Sequence, residues 1–243
     1  MNIENVNNGS DIMRIFVTGD VHADYDYKKI KQFRHLLRDD LTLDDYLIIC
    51  GDFGILWDGG KHDRYFKKHV YGNFPCTILW VDGNHENFDE LYKYPSGEWN
   101  GGQVHFVTDR ILHLKRGEIF NISGTKFLAF GGAMSTDRGY DTGDNNDWWP
   151  QELPTEEEMQ NARQNLQANN YSVDYILTHD APGHVLKEQF LITRPSDPKF
   201  SGFLDEIACS VKFKGWYFGH HHEDRTMGKF HCLYETIKEI NMT

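Results

Sequence analysis

Cysteine is scarce in this sequence, and the few cysteines present are not spaced for metal or redox chemistry. The four are Cys50, Cys76, Cys209 and Cys232, and no two of them form a C-x-x-C pair. Neither a zinc knuckle nor a thioredoxin-like motif is therefore expected. We expect a cytoplasmic protein, because free cysteines without a disulfide framework are typical of a reducing compartment.

Long apolar runs are also missing. No stretch approaches the roughly 20 consecutive apolar residues that a membrane-spanning helix requires. The opening segment "MNIENVNNGSD" is polar and rich in asparagine, and it lacks the features of a signal peptide. We expect no membrane association, and we interpret residues 1–12 as a flexible leader before a single domain at residues 13–243.

Positive charge is in the minority. The 243 residues include 25 Lys and Arg against 37 Asp and Glu, which gives a formal net charge of −12. A broad polyanion-binding surface is not expected on such a chain, although this balance is compatible with a local cationic site. Long nucleic acid is therefore not an expected partner.

What the sequence does contain is a series of apolar runs separated by helical patterns. Runs such as "MRIFVTGD" and "DYLIICGD" alternate or are continuously apolar, and they predict buried strands. Between these two runs, Ile30, Phe33 and Leu37 share one face of a predicted helix.

Later segments add hairpins and further helices to this pattern. Residues 101–132 alternate in polarity between turn signals, which predicts three or four short antiparallel strands. Thr155 and Glu158 form a capping-box pair that predicts a helix extending to about Asn169. Another helix is predicted at Gly202 to Val211. Together these elements indicate an α/β fold with mixed sheets.

A potential metal ligand stands at the C-terminal tip of five apolar runs. The five tips read Asp20-x-His22, Gly51-Asp52, Gly83-Asn84-His85-Glu86, His179 and Gly219-His220-x-His222. Because ligands bind at the carboxyl ends of strands in an open α/β sheet, we expect these tips to converge. Glycine beside a ligand allows a sharp turn and a close approach of the backbone to an ion.

The donors at these tips are imidazoles, carboxylates and one amide, without a thiolate. This set suits Mn, with Fe, Zn, Co or Ni as alternatives, rather than a sulfur-ligated structural zinc. One tetrahedral ion cannot use all the candidates, which are Asp20, His22, Asp52, Asn84, His179, His220 and His222. The set predicts two divalent metal ions that share one carboxylate and can clamp a phosphoryl group.

The order D-x-H, G-D, G-N-H-E, H and G-H-x-H, from Asp20 to His222, resembles the calcineurin-like metallophosphoesterase superfamily. The stretches "GDFGILWDG", "DGNHENFD" and "LTHDAP" further resemble its small bacterial and phage branch. The resemblance implies a four-layer αββα sandwich in which helices flank two mixed β-sheets, with a dinuclear metal site at the strand C-terminal ends. It also implies a metal-dependent phosphoric ester hydrolase that acts on a small phosphorylated substrate.

The resemblance assigns roles to individual positions. The first metal would be held by Asp20, His22 and His222, and the second by Asn84, His179 and His220, with Asp52 bridging both. His85 is the candidate for protonating the leaving oxygen or holding a phosphate oxygen. Because His220 and His222 alternate along an extended chain, both can face the metals, and His221 is expected to face away.

Two positions depart from the superfamily pattern. Members with G-D-x-x-D use the second acid to orient the histidine, and Ile55 stands there in this chain. General acid catalysis by His85 would therefore need another carboxylate. Protein phosphatases of the superfamily carry an arginine directly after that acid, where this chain has Leu56. This departure favours small phosphodiesters over phosphoproteins.

The expected reaction is in-line attack on phosphorus by a hydroxide that bridges the two metals, without a covalent enzyme intermediate. Small phosphodiesters are mildly preferred as substrates. The alternatives are a phosphomonoesterase or protein phosphatase, and a non-catalytic metal-binding scaffold of the same fold. We expect the loop from Ala133 to Pro150 to cover the site and set its specificity, because it directly follows a predicted strand.

Overall fold

The computed structural model describes residues 3–4, 13–23, 25–37, 39–57, 59–135, 148–193 and 196–242. Most of the predicted leader, and most of the loop predicted to cover the site, lie outside these described residues, so both remain predictions. In the described part of the chain, no helix is both long and apolar enough to cross a membrane.

The described residues form two sheets, of which the first has eight strands. They are β1 (Ile3–Glu4), β2 (Ile15–Thr18), β3 (Tyr46–Cys50), β4 (Thr77–Val81), β5 (Ser96–Trp99), β6 (Gly102–Thr108), β7 (Ile111–Leu114) and β14 (Ile237–Ile240). Their spatial order is β1-β14-β2-β3-β4-β7-β6-β5. Strands β2, β3, β4 and β7 run parallel, whereas β14 and β6 pair antiparallel with their neighbours β2 and β7. The sheet is therefore mixed.

The second sheet has six strands. They are β8 (Glu118–Ile122), β9 (Thr125–Phe130), β10 (Tyr175–Thr178), β11 (Gly215–Phe218), β12 (Arg225–Met227) and β13 (Phe230–Cys232). Their order is β12-β13-β11-β10-β9-β8. The four central strands run parallel, and the edge strands β8 and β12 pair antiparallel with their neighbours.

The helices of the described residues lie mostly where the sequence patterns predict them. They are α1 (Tyr27–Leu37), α2 (Lys61–Tyr65), α3 (Phe88–Leu91), α4 (Glu156–Ala168), α5 (Gly183–Val185) and α6 (Pro198–Ser210), with π-helical turns at Phe66–Tyr71 and Leu186–Phe190 and a 3₁₀ turn at Pro150–Glu152. The predicted apolar face of α1 is buried, and the predicted capping box of Thr155 and Glu158 opens α4. Helix α6 begins earlier than predicted, because Asp197 caps it by accepting from the Phe200 N–H at 2.9 Å.

Alternate residues of the central strands face different apolar layers. In β2, Phe16 packs toward α1 and Val17 packs toward the second sheet. In β10, Leu177 faces the same middle layer, whereas Ile176 packs with Leu204 of α6. Because both faces of these strands are covered, they read as continuous apolar runs. The order helices, sheet, sheet, helices confirms the predicted αββα sandwich.

The alternating segment at residues 101–132 contains four strands, as predicted, but they do not form one antiparallel run. The β6–β7 hairpin belongs to the first sheet and the β8–β9 hairpin to the second. Strands β7 and β9 also pair parallel with β4 and β10. A strand shows the same alternation of polarity whichever sheet it joins. The sequence pattern therefore did not reveal that the chain passes from the first sheet to the second between β7 and β8.

A buried ion pair connects the end of β4 to the segment between β7 and β8. The Arg116 Nε–H donates to Asp82 Oδ2 at 2.9 Å, and both side chains are buried. Arg116 also pairs with Glu158 of α4 at 3.2 Å. Burial alone would raise the pKa of Asp82, but Arg116 and a hydrogen bond with His113 hold that pKa well below its usual range.

We predict that Arg116→Met lowers the free energy of unfolding by about 3–5 kcal/mol, because it leaves the buried Asp82 carboxylate without its cation. Urea unfolding at pH 7 measures the loss. The matched control is Arg163→Met, which removes an exposed pair with Glu206 and should lose less than about 1 kcal/mol.

Lowering the pH should reduce the difference in unfolding free energy between the Arg116→Met and Arg163→Met variants. The folded pKa of Asp82 lies below its unfolded value of about 3.9, so the stabilisation is complete above that pH and is lost as the pH falls. Equal losses in the Arg116 and Arg163 variants, or a difference that does not change with pH, would contradict this account of the pair.

Candidate metal centre

The carboxyl ends of five strands meet at one place in the structure. Strands β2, β3 and β4 of the first sheet end beside β10 and β11 of the second. Main-chain hydrogen bonds join neighbouring tips, from Asp20 N–H to Gly51 O at 3.2 Å and from Gly219 N–H to His179 O at 3.1 Å. The structure therefore brings together the tips that the sequence marked as carrying ligands.

Two overlapping groups of side chains could each hold a metal ion. The ligand atoms of Asp20, His22 and His222 lie within 4.8 Å of one another, and so do those of Asp20, Asp52 and His179. Asp52 Oδ2 lies 3.2 Å from the Nε2 atoms of both His22 and His179. The first group is the set predicted for the first metal, and Asp52 lies between the histidines predicted for the two metals.

The remaining candidates for the second metal border the second group. Asn84 Oδ1 lies 3.1 Å from His179 Nε2, and the Asn84 amide donates to Ser135 Oγ at 3.2 Å. This second bond turns the amide oxygen toward the site. The His220 ring lies 5.0 Å from the His179 ring, and the His220 N–H donates to Asp20 Oδ2 at 2.9 Å. His220 thus lies beside the group rather than within it.

Five of the predicted ligands have a left-handed backbone. The φ angles are between 45° and 64° at Asp20, His22, Asp52, His220 and His222. Each such residue costs about 1–3 kcal/mol unless its surroundings enforce the conformation, and such residues concentrate at functional sites. The extended chain assumed for the last two histidines is wrong, and left-handed turns place their rings beside those of the other candidate ligands.

Glycines leave room for the side chains of this centre. A Cβ atom at Gly51 would stand 2.0 Å from His179 Nδ1, and one at Gly83 would stand 2.0 Å from Asp52 Oδ1. Gly51 also has a φ of +84°. The glycines beside the ligands therefore allow the close approach that the sequence predicted.

Two histidines of this centre, His22 and His179, have partners at their Nδ1 atoms. His22 Nδ1 lies 2.7 Å from Asp26 Oδ2, and His179 Nδ1 lies 2.8 Å from the main-chain oxygen of Cys50. A histidine that uses Nδ1 for such a bond presents Nε2 to a metal. Asp26 was missed by the sequence analysis, because a lone aspartate four residues after His22 has no distinguishing signal.

A buried lysine fixes the backbone beneath the first group. Lys29 is 1% exposed, and its Nζ donates to the main-chain oxygens of Asp20 (2.8 Å), Gly19 and Tyr234. The Tyr234 ring stacks on His222, with ring centroids 4.6 Å apart. Burial lowers the pKa of Lys29 to about 8. Neither Lys29 nor Tyr234 is marked in the sequence, because they lie on ordinary helical and loop patterns.

His221 lies behind the centre, away from the candidate ligand groups. Its side chain is buried, and its Nε2 lies 3.1 Å from Asp180 Oδ1. His221 therefore has a partner outside both candidate groups, although the extended chain on which its predicted orientation rested is absent at its two neighbours.

The electrostatics of the centre fit divalent cations. Burial would lower the pKa values of His22 and His179, but Asp52 raises them to about 9 and about 10. Burial would raise the pKa of Asp52, and the same two histidines hold it well below its usual range. Burial lowers the pKa of His220 to about 4. Without metal, protonated imidazoles supply the positive charge that Asp52 requires, and the donor set is one that transition metals accept.

Comparison with known proteins agrees with this geometry. The sequence model of the family described as calcineurin-like phosphoesterase matches residues 13–224. The chain belongs to this family. Its members are metal-dependent hydrolases of phosphoric esters with a dinuclear centre.

Individual relatives of this calcineurin-like phosphoesterase are distant. A lariat debranching enzyme from Danio rerio is 26% identical over 108 residues, which is 39% of this chain and 19% of the enzyme. The chain thus spans about a fifth of that relative. A phosphopantetheinyl hydrolase structure from Mycobacterium tuberculosis covers 95% of this chain and 89% of its own, with 15% identity and a TM-score of 0.45. Another solved structure has a TM-score of 0.47 and 12% identity over 93% of this chain and 88% of its own.

In this calcineurin-like phosphoesterase, the two departures from the superfamily pattern are buried. Ile55 and Leu56 are 0% and 2% exposed and pack in the core. The main-chain N–H of His85 donates to Asp52 Oδ1 at 2.8 Å, and its ring lies 5.7 Å from the ring of His22. Among the described residues, no carboxylate hydrogen-bonds the His85 ring, so none replaces the missing acid.

We predict that added Mn²⁺, used as a probe of the candidate ligands, binds this protein more tightly as the pH rises from 6.5 to 8. His22 and His179 carry protons below their pKa values of about 9 and about 10, and each must release its proton to coordinate a metal. Affinity should rise up to about tenfold per pH unit for each released proton. Calorimetry in buffers of different ionisation enthalpy measures both quantities, and a pH-independent affinity without proton release would refute the histidine assignment.

Proposed function

We propose that this calcineurin-like phosphoesterase is a dinuclear enzyme that hydrolyses small phosphodiesters. The observation that supports it most directly is the position of Asp52 Oδ2, at 3.2 Å from Nε2 of both His22 and His179. One carboxylate oxygen between two imidazoles suits a ligand shared by two ions. Mn is the proposed metal, with Fe, Zn, Co or Ni as alternatives, and the proposed location is the cytoplasm.

The chain's own residues hold and orient the proposed centre. One ion would be held by Asp20, His22 and His222, and the other by Asn84, His179 and His220, with Asp52 shared. Bound there, two divalent ions would activate water for in-line attack on phosphorus and neutralise charge on the phosphoryl oxygens. Asp26 and Ser135 orient the His22 ring and the Asn84 amide, so less reorganisation is needed when substrate binds. No covalent enzyme intermediate is proposed.

His85 is proposed to bind a phosphoryl oxygen at the edge of the centre. Its position follows from its main-chain bond to Asp52, and its side chain is only partly buried. Without a carboxylate partner among the described residues, the ring is better suited to donate a hydrogen bond than to act as a strong general acid. Its role would be to align the ester and stabilise charge in the transition state.

The preference for diesters is proposed from the local chemistry next to the centre. Leu56 supplies no cation where protein phosphatases of the superfamily carry an arginine, and it is buried. A diester carries less negative charge than a monoester, so it depends less on such a cation. Phosphomonoesters are the second candidate class, and a non-catalytic scaffold is the alternative that the missing acid at Ile55 favours.

We predict about two Mn per chain in wild type and fewer in His220→Ala, measured by elemental analysis. Hydrolysis of bis-p-nitrophenyl phosphate should fall together with the metal content, and wild type should cleave this diester faster than p-nitrophenyl phosphate. The matched control is His35→Ala, since His35 is an exposed residue of α1. Metal-loaded protein without turnover would support the scaffold, and a faster monoester reaction would reverse the proposed preference.

We predict that His85→Asn lowers kcat about 10²–10⁴-fold, the range for a group acting on the reacting atoms, while the metal content stays at the wild-type value. The substitution keeps the main-chain N–H that binds Asp52. The control is His184→Asn, because His184 pairs with Asp205 outside the centre. Unchanged kcat in the His85 variant would exclude a role for the ring, and lost metal would make it a ligand instead.

A further inference from the structure

Four basic side chains line a pocket that is separate from the metal centre. They are Arg64, Lys67, Lys68 and Arg110, and the one carboxylate in the lining is Asp109. The cavity has a volume of about 620 Å³. The chain as a whole has 37 acidic residues against 25 basic ones, so this pocket reverses the charge balance of the protein.

The pocket lies near the amino end of β4, whereas the candidate metal ligands lie at the carboxyl ends of the strands. Helix α2 and the π-helical turn after it form one side, and the β6–β7 turn forms the other. The main-chain oxygen of Arg110 accepts from the Ile78 N–H at 2.9 Å, near the beginning of β4. Asn84 and His85 follow the end of the same strand.

Arg110 has one buried donor nitrogen for which the described part of the chain provides no acceptor. Its Nη2 atom is buried and has no hydrogen-bond partner among the residues that the structure describes. Leaving a charged donor buried and unpaired is destabilising, and a guanidinium has only donors, so what is missing is an acceptor. The Arg110 side chain is half-buried and lines the pocket, so a small turn of its guanidinium toward the cavity would bring Nη2 to an acceptor there.

The other three cations are also not neutralised. Lys67 Nζ donates to the Tyr94 hydroxyl and lies 5.1 Å from the centre of that ring. Arg64 Nη1 donates to the main-chain oxygen of Gly59 at 3.0 Å. Both partners are uncharged, and Lys68 is exposed. Among the described residues, none of these cations forms an ion pair with a carboxylate.

We propose that this pocket binds a small polyanion that carries phosphate groups, up to the size of a nucleotide. Its volume lies within the range of small-molecule sites. Arginine forms paired hydrogen bonds with phosphate, and lysines add point charges. A macromolecular polyanion fits less well, because the net charge of −12 repels the parts of it outside the pocket.

The test is calorimetric titration of pyrophosphate and of ADP into full-length protein freed of metal with a chelator and then dialysed. Removing the metal takes away the divalent cations that would attract the probes to the metal centre. Both probes should bind wild type, and Arg110→Gln should weaken binding at least about tenfold, as expected for a lost charge-assisted hydrogen bond. Lys68→Gln should weaken it about threefold, the size of one exposed charge contact.

The matched control is Lys31→Gln, which removes an exposed charge on α1 and should leave the affinity unchanged. Citrate is the polycarboxylate control and should bind more weakly than pyrophosphate. Lys68→Gln keeps the test decisive if Arg110→Gln fails to fold. The proposal is overturned if wild type binds neither probe, if citrate binds equally well, or if the pocket variants bind like wild type. It does not depend on the proposed phosphoesterase activity.

Discussion

The buried carboxylate of Asp52 is the constraint around which this site is arranged. A carboxylate that stays ionised inside a protein needs positive charge and hydrogen-bond donors close by. The structure supplies His22 and His179 at 3.2 Å and the His85 N–H at 2.8 Å. Gly83 is then required, because any Cβ there would collide with the carboxylate. A metal pair would take over the role of the two imidazolium charges, so metal and proton compete for the same place.

Left-handed turns at the strand tips need support from outside the ligand set. Lys29 provides it by binding the main-chain oxygens of Gly19, Asp20 and Tyr234. Gly19 and Asp20 are adjacent, whereas Tyr234 lies more than two hundred positions later in the sequence. One buried cation thus fixes both the turn that carries Asp20 and the ring that stacks on His222. The strain at the tips is maintained by the fold, which holds the candidate ligands in position by protein contacts alone.

The apolar runs ending in Gly-Asp or Gly-His predicted strands of an α/β fold and the convergence of their tips, whereas the four-layer sandwich followed from the family resemblance. The sequence did not predict the partners behind the ligands. Tyr234 binds Asp26 from 208 positions away, and nothing local to either residue marks the contact. The split of the hairpins between two sheets was equally hidden. The left-handed turns at His220 and His222 were misread as extended chain, since no glycine occupies those positions.

The two ends of the strands in the first sheet differ in what each would need in order to bind a phosphate group. At the carboxyl ends of the strands, two protonated histidines only offset Asp20 and Asp52 when no metal is bound, so the proposed phosphate binding there would depend on bound cations. In the basic pocket near the amino end of β4, Arg110 and its neighbouring lysines carry positive charge without carboxylate partners among the described residues. The proposed binding of a polyanion in this pocket would therefore need no metal. If both proposals hold, this acidic protein would bind phosphate groups in two ways, and removing the metal would separate one from the other. Strand β4 runs from the basic pocket to the metal centre. A ligand in the pocket would therefore lie at the amino end of the strand that is followed by Asn84 and His85.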